Sequence, residues 1–427
     1  MSGEQSGPAI AEPAAPQPPP LTRDGNFLKF WAGDTITQFT GQVSGLAIPT
    51  VAVFALQATG FQIGVIEALG FIAFPVLGLF VGVWMDRSRR RPILIAMDLV
   101  QVAALATVPA AFLFGVLGLY QLYAVSLAMG TTTLFFDVAY QSYLPSLVGR
   151  HQLVEGNQKL QISGSAAQVM GPTIASALMG LFGAPQAVTA DALGTMAAAM
   201  LLLSIRKREP PIESAGTERH FFAEMKEGIR VITSNKLLWT QAGCTGTSNF
   251  GSNMFNVALI LFAYRTLGIT PSTIGLAFSL GSAGFLLGAL VSSRVTSYLG
   301  LGRTVAISIS GNFGLLIALL ASGGSAVFVL GLAFFVSFFG VPIYNINMVS
   351  LRQIMTPNRL QGRMNATMRT IIWGTIPAGS FVGGIMTVSL GLVPTMVAGG
   401  VISGSAFLWV VLGPIYRLKK QPEPAND

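Results

Sequence analysis

The chain has 427 residues, 52% of them hydrophobic and 10% charged, with a mean hydropathy of +0.63. Soluble domains carry about 25% charged residues, so a water-soluble fold of this composition would expose large apolar patches, and the bilayer is the natural solvent. The net charge of +8 is spread over short loops without interleaved aromatics, which argues against a nucleic-acid partner; the lone Cys244 allows no internal disulfide.

Residues 1–26 are rich in Pro, Ala and Gly and contain no apolar run after a basic start. They read as a disordered tail, not as a signal peptide. Apolar runs follow, each near the ~20 residues that a spanning helix needs. They cover 27–55, 61–84, 93–115, 119–143, 157–182 and 184–206, then 237–264, 271–293, 304–322, 325–351, 360–388 and 391–416. The predicted fold is therefore an all-α membrane protein of twelve transmembrane helices. The connections at 59–61 and 270–272, TGF and TPS, carry turn formers suited to antiparallel neighbours. Two histidines, His151 and His220, fall in polar connectors, so no metal site and no cofactor is expected.

Basic residues orient the chain. With the N-terminal tail in the cytoplasm, 24 of the 25 Lys and Arg fall on or near one side, and only Arg265 falls on the other. Both termini, including the tail 417–427, are then cytoplasmic, in a membrane expected to be the bacterial inner membrane. A polar linker at 207–236 separates two stretches, 27–206 and 237–416, of 180 residues each. Gly82 and Gly288 lie 206 apart, Leu153 and Leu360 lie 207 apart, and Pro172 and Pro377 lie 205 apart. That common offset predicts a duplication into two pseudo-symmetric six-helix bundles. Within the linker, Phe221, Phe222, Met225, Ile229 and Ile232 share a helical face. This segment is either a basic amphipathic helix on the inner membrane surface or a solvated connector.

The most specific segment follows the second run: Gly82-Val-Trp-Met-Asp86-Arg87-Ser-Arg89-Arg90-Arg91. It resembles the signature loop of the major facilitator superfamily, Gly-x-x-x-Asp-Arg-x-Gly-Arg-Arg, with Arg89 in place of the second glycine. The resemblance implies that Gly82 permits close helix approach, that Asp86 engages the N-terminal end of helix 11 when the cytoplasmic side closes, and that Arg87 and Arg90 are the loop's cations. A carboxylate is favourable at a helix N-terminus, which accounts for the residue type. FFDVAYQSYLPSLV, LVEGNQ, AQVMGP, TADALG and RLQGRMNATMRTIIWGTIPAG are similar to the drug:proton antiporter branch that includes macrolide efflux pumps and the enterobactin exporter. The helix 5 signature of that branch is kept in part, as Ala167-x-x-x-Gly171-Pro172-x-x-Ala175-Ser176.

Five acids lie in the apolar runs: Asp34, Glu67, Asp98, Asp137 and Asp191. Ionisable groups are costly in lipid and point to function. Asp34 lies roughly 10 Å into helix 1 at ~1.5 Å per residue, with Gln38 and Gln42 at one and two turns beyond. Loss of water disfavours a carboxylate, so Asp34 and Glu67 are candidate proton carriers; the alternative for Asp34 is a carboxylate tied to nearby Thr, Gln or basic groups. Asp98 and Asp137 are expected to pair with the arginines at 87–91, and the family resemblance makes Asp137 a candidate partner of the gating loop. Asp191 reads as a local hydrogen-bonding residue. Helix 7 carries Gln241, Thr245, Ser248, Asn249, Ser252, Asn253 and Asn256 at spacings of three and four, one polar face. In the family fold helices 1, 4, 7 and 10 line the central cavity, so this face, with Tyr344, Asn345 and Asn347 of helix 10, suits substrate binding, or else serves as polar glue between helices. Arg369 either neutralises an acid, contacts an anionic substrate or snorkels to the inner surface.

No phosphate-binding Gly-x-x-x-x-Gly-Lys-Ser/Thr and no catalytic constellation is present, which argues against direct ATP drive and against an enzyme. The expectation is a monomeric exporter of a small amphiphilic compound, with protons and membrane lipids as its other partners. A proton-independent facilitator or lipid translocase, and a non-transporting membrane sensor, are the alternatives.

Overall fold

The computed structural model describes residues 21–86, 88–149, 152–207, 209, 229–356 and 361–422. Helices dominate it, and no strand occurs among the described residues. Twelve helical spans cover the predicted runs. Spans 1 to 6 are Gly25–Ala55, the pair Gly60–Phe71 and Ala73–Asp86, Arg90–Leu113, Leu119–Leu147, Leu153–Phe182 and Ala184–Leu203. Spans 7 to 12 are Lys236–Leu261, Pro271–Leu299, Leu301–Ser310 continued by the 3-10 turns Gly311–Leu320, Ala326–Ile354, Gln361–Ser389, and the pair Leu392–Ser405 and Phe407–Leu412. Ten of them are long and apolar enough to cross a membrane by composition alone. The other two, spans 1 and 7, have 31 and 26 residues, length enough for a ~30 Å hydrocarbon core. They fall short in apolarity, and they are the two that carry the polar stripes.

Local chemistry explains the boundaries. Asp24 caps span 1 by accepting from the Asn26 and Phe27 amides at 2.8 and 3.2 Å. Asn235 caps span 7 in the same way. Thr59 and Gln62 form a reciprocal capping box at the start of span 2, and Thr270 with Pro271 opens span 8. Span 2 breaks at Ile72 because Pro75 has no amide proton and its ring crowds the carbonyl one turn earlier.

Packing repeats with a period of six spans. Span 1 packs on 5 and 6, span 3 on 4 and 6, and span 2 on 4; span 7 packs on 11 and 12, span 9 on 10 and 12, and span 8 on 10. Two reciprocal contacts join the sets, span 2 with 11 and span 5 with 8. The apolar core follows the same division. At the end away from the basic loops one cluster mixes residues of both sets, among them Val43, Ile48, Val188, Phe255, Tyr264 and Met396. At the basic end the clusters separate: Phe27, Phe30, Leu94 and Tyr143 form one, and Leu301, Val305, Met348 and Ile415 another.

Candidate transport site

Glycines set the closure of the far end. A Cβ at Gly64 of span 2 would collide with the Ser380 carbonyl and lie 2.8 Å from the Gly384 Cα, both on span 11. On the other side Gly275 of span 8 faces Ser176, and Gly180 of span 5 faces Ser272. Hydroxyls add direction: Thr50 bonds Tyr264 at 2.9 Å between spans 1 and 7, and Thr173 bonds Ser279 at 2.6 Å between spans 5 and 8. Ser282 donates to the Val169 carbonyl at 2.6 Å, and Arg265 donates to the Ala58 carbonyl at 2.9 Å. At Gly82, expected to permit close helix approach, no atom of the described residues lies within 4 Å of a would-be Cβ. Its counterpart Gly288 stands against the Phe339 carbonyl of span 10.

Asp137 of span 4 forms an ion pair with Arg369 of span 11. Asp137, expected to pair with the arginines at 87–91, is brought to Arg369 by the packing of the two sets, and neutralising an acid is one of the three roles expected of Arg369; Arg87 lies outside the described residues. The Arg369 guanidinium also lies over the Trp373 ring, 4.7 Å from its centroid. Trp373 meets Phe74 of span 2 edge-on at 4.5 Å, and Gly374 lets Pro75 approach. Tyr140, one turn along from Asp137, stacks on Phe30 at 5.4 Å.

Among the described residues the remaining acids of the spans form no ion pair. Asp34 is 3% exposed and keeps Oδ2 without a partner among the described residues. Beside it Trp31 and Thr35 both donate to the Ser163 hydroxyl of span 5 at 2.9 Å. Gln42 continues the stripe onto Gly171 in the helix 5 signature, whereas Gln38 is exposed. Glu67 is half-buried one turn beyond Gly64, with no ion-pair or hydrogen-bond partner among the described residues. Asp98, expected to pair with the arginine cluster, is buried with Oδ2 unpartnered. Asp191 is fully buried and accepts from Thr40 at 2.9 Å and Thr195 at 3.2 Å, a bond between spans 1 and 6.

A family model described as transmembrane secretion effector matches residues 18–423. The chain belongs to this family. Macrolide efflux protein A of Streptococcus pyogenes is 23% identical over 370 residues, covering 86% of this chain and 90% of that protein. The enterobactin exporter EntS of Citrobacter koseri is 25% identical over 404 residues, 90% of each chain. Among solved structures, a D-xylose–proton symporter superposes with a TM-score of 0.69 at 15% identity, covering 94% of this chain and 99% of the symporter. The fold is that of a major facilitator transporter, and the protein is a multi-pass membrane transporter, not an enzyme.

In this secretion effector the polar face of span 7 divides. Gln241 donates to the Met348 carbonyl at 3.3 Å, and Thr245 bonds the Tyr344 hydroxyl at 2.6 Å, so both turn to span 10. Asn249 donates to the Ile372 carbonyl of span 11 at 3.2 Å. Ser252 and Asn253 fold back onto the Asn249 carbonyl at 3.2 and 2.8 Å. Ser248 joins Asn312 and Ser403 toward spans 9 and 12. Asn256 and Asn345 are exposed. Much of this face is therefore interhelical hydrogen bonding, and Gln241 Oε1 is a buried acceptor without a partner among the described residues.

At the basic end of the transporter, Arg87, His151, His220, linker residues 210–228 and the side chain of Asp86 lie outside the described residues. The described part of the loop holds a residue that sequence reasoning missed. The Glu209 carboxylate accepts from the Arg90 and Arg91 amides at 2.9 and 2.6 Å, capping span 3. Negative charge there meets the positive end of the helix dipole. Arg91 reaches the Leu202 and Leu203 carbonyls at 3.0 and 2.8 Å, Lys29 reaches that of Ser204 at 2.8 Å, and Lys207 that of Leu147 at 2.6 Å. These cations cap the last turns of spans 6 and 4. The only cue in the sequence was an acid beside the cations Arg206 and Lys207.

Proposed function

We propose that this transporter exports a small amphiphilic compound, of the drug or siderophore kind that its macrolide and enterobactin relatives carry, by proton antiport. The bundles 27–206 and 237–416, joined by the linker 207–236, rock about a midplane site, with the basic end in the cytoplasm of a bacterial inner membrane. The observation that carries the reading is a buried acid, Asp34, that forms no ion pair among the described residues, in a chain whose two sets of spans are joined by the Asp137–Arg369 pair. A buried carboxyl without a cation favours its protonated form and gives up the proton when water reaches it. Glu67, beside the tight span 2–span 11 contact, is the second carrier, placed where opening of the far end would wet it. Gln42, Gln241, Thr245 and Tyr344 supply neutral hydrogen-bonding groups to the substrate once the interhelical bonds loosen. Asp86, Arg87 and Arg90 form the latch at the cytoplasmic side.

The test uses proteoliposomes holding a pH-sensitive dye, an imposed proton gradient and a panel of macrolides, catecholate siderophores and amphiphilic dyes. Substrate-dependent proton flux is expected in the wild type and is lost in Asp34→Asn or Glu67→Gln. Substrate movement that persists without proton flux would replace antiport by a facilitator or lipid-translocase activity.

A further inference from the structure

A cleft of about 1080 Å³ opens at the basic end of the C-terminal half. It lies between the last turns of span 8, the first turn of span 9, the last third of span 10 and residues Tyr416–Gln421. Its lining comes from this half alone, so it is separate from the space between the bundles. Three features give it a chemistry. First, the rim is basic: Arg303, Lys419 and Lys420 line it and are exposed. Second, its wall is polar and its hydrogen-bonding capacity is not used up. Asn347 donates to Thr296 at 3.1 Å and to the Ile343 carbonyl at 2.8 Å. Ser292, 3% exposed, keeps a hydroxyl without a partner among the described residues. Third, none of the described residues that line it is acidic.

The tail is held in place over the cleft. The Leu301 and Gly302 amides donate to the Lys419 and Leu418 carbonyls at 3.2 and 2.8 Å. That satisfies the first amides of span 9 and fixes both lysines at the rim. Beside the cleft, Tyr298 is 88% and Leu290 73% exposed on the outer face of span 8. The arrangement is a basic pocket at headgroup depth with an apolar wall running toward the membrane core. We propose that this cleft binds the phosphate headgroup of an anionic phospholipid, with Arg303, Lys419 and Lys420 on the phosphate, Ser292 and Thr296 on the glycerol oxygens, and the acyl chains along span 8.

The experiment measures lipid retention by the purified full chain in native mass spectrometry, with phosphatidylglycerol and phosphatidylcholine as competing probes. The wild type is expected to keep phosphatidylglycerol in preference to phosphatidylcholine. The triple variant Arg303→Gln/Lys419→Gln/Lys420→Gln is expected to retain it roughly a hundredfold less, from the attraction of each basic residue near a headgroup surface. Ser292→Val, which leaves the charges intact, guards against a fold defect in the triple variant and is expected to weaken retention several-fold. Equal retention of the two lipids by the wild type, or undiminished phosphatidylglycerol on both variants, would overturn the proposal. So would inorganic phosphate raising the melting temperature as much as phosphatidylglycerol does, since that outcome assigns the cleft to a free anion.

Discussion

Removing the cation of the cross-bundle pair, by Arg369→Gln, perturbs the one intramembrane charge contact that joins the halves among the described residues. Asp137 and Arg369 are 25% and 30% exposed at their side chains, between the surface and buried limits. Exposed pairs contribute about 0–1 kcal/mol, and breaking a buried pair costs about 3–5 kcal/mol. An intermediate loss of about 2–3 kcal/mol follows, to which the contact of the guanidinium with Trp373 adds in the same direction. If the pair forms only in the arrangement described, that loss shifts the conformational equilibrium by roughly 30- to 150-fold. The readout is a spin-label distance between Ile162 of span 5 and Tyr298 of span 8, both exposed near the basic end on opposite sides of the bundle interface. Cys244 is replaced by Ala so that it cannot take the label. Asp137→Asn should move the population in the same sense, and the double variant should be little worse than either single one, because the interaction can be lost only once. Unchanged distance distributions in both single variants, or fully additive effects in the double variant, would refute the reasoning.

Gly64→Ala places a methyl group against the Ser380 carbonyl, so the far end should be destabilised by about 1–3 kcal/mol, seen as a lower melting temperature and a longer far-end label distance. Tyr264→Phe removes the hydroxyl bonded to Thr50 and should weaken the same closure by about 1 kcal/mol, a smaller shift on the same readout. Glu209→Gln keeps the size of the span 3 cap but removes its charge; a loss of about 0.5–1 kcal/mol is expected, shrinking as salt is added. A melting temperature independent of this substitution at low salt would count against the cap.

The legible part of the fold was whatever depends on one helix and its solvent. Twelve runs were readable because each must match the thickness of the hydrocarbon core, and the turn formers at Thr59 and Thr270 cap the spans they precede. The break at Ile72 was within reach through Pro75, although the run 61–84 was taken as one helix. The polar stripes of spans 1 and 7 were visible for the same reason: they lower the apolarity of those helices alone.

Partner choice was not legible. Asp137 meets Arg369, 232 residues away, although four arginines lie nearer in sequence at 87–91. Glu209 looked like a linker acid until the first turn of span 3 came down upon it. The seven polar residues of span 7 share a helical face in projection, yet four of them, Gln241, Thr245, Ser248 and Asn249, turn toward spans 9, 10, 11 and 12, because a central helix is surrounded by neighbours. By itself the sequence determined that this chain lives in a membrane, which of its runs are apolar and which end is basic, since transfer of a segment from water to lipid is a sum over its own residues. Only the tertiary structure decided which glycines seal the far end, which acids keep a cation and which stay alone, because those depend on atoms brought together from both halves of the chain.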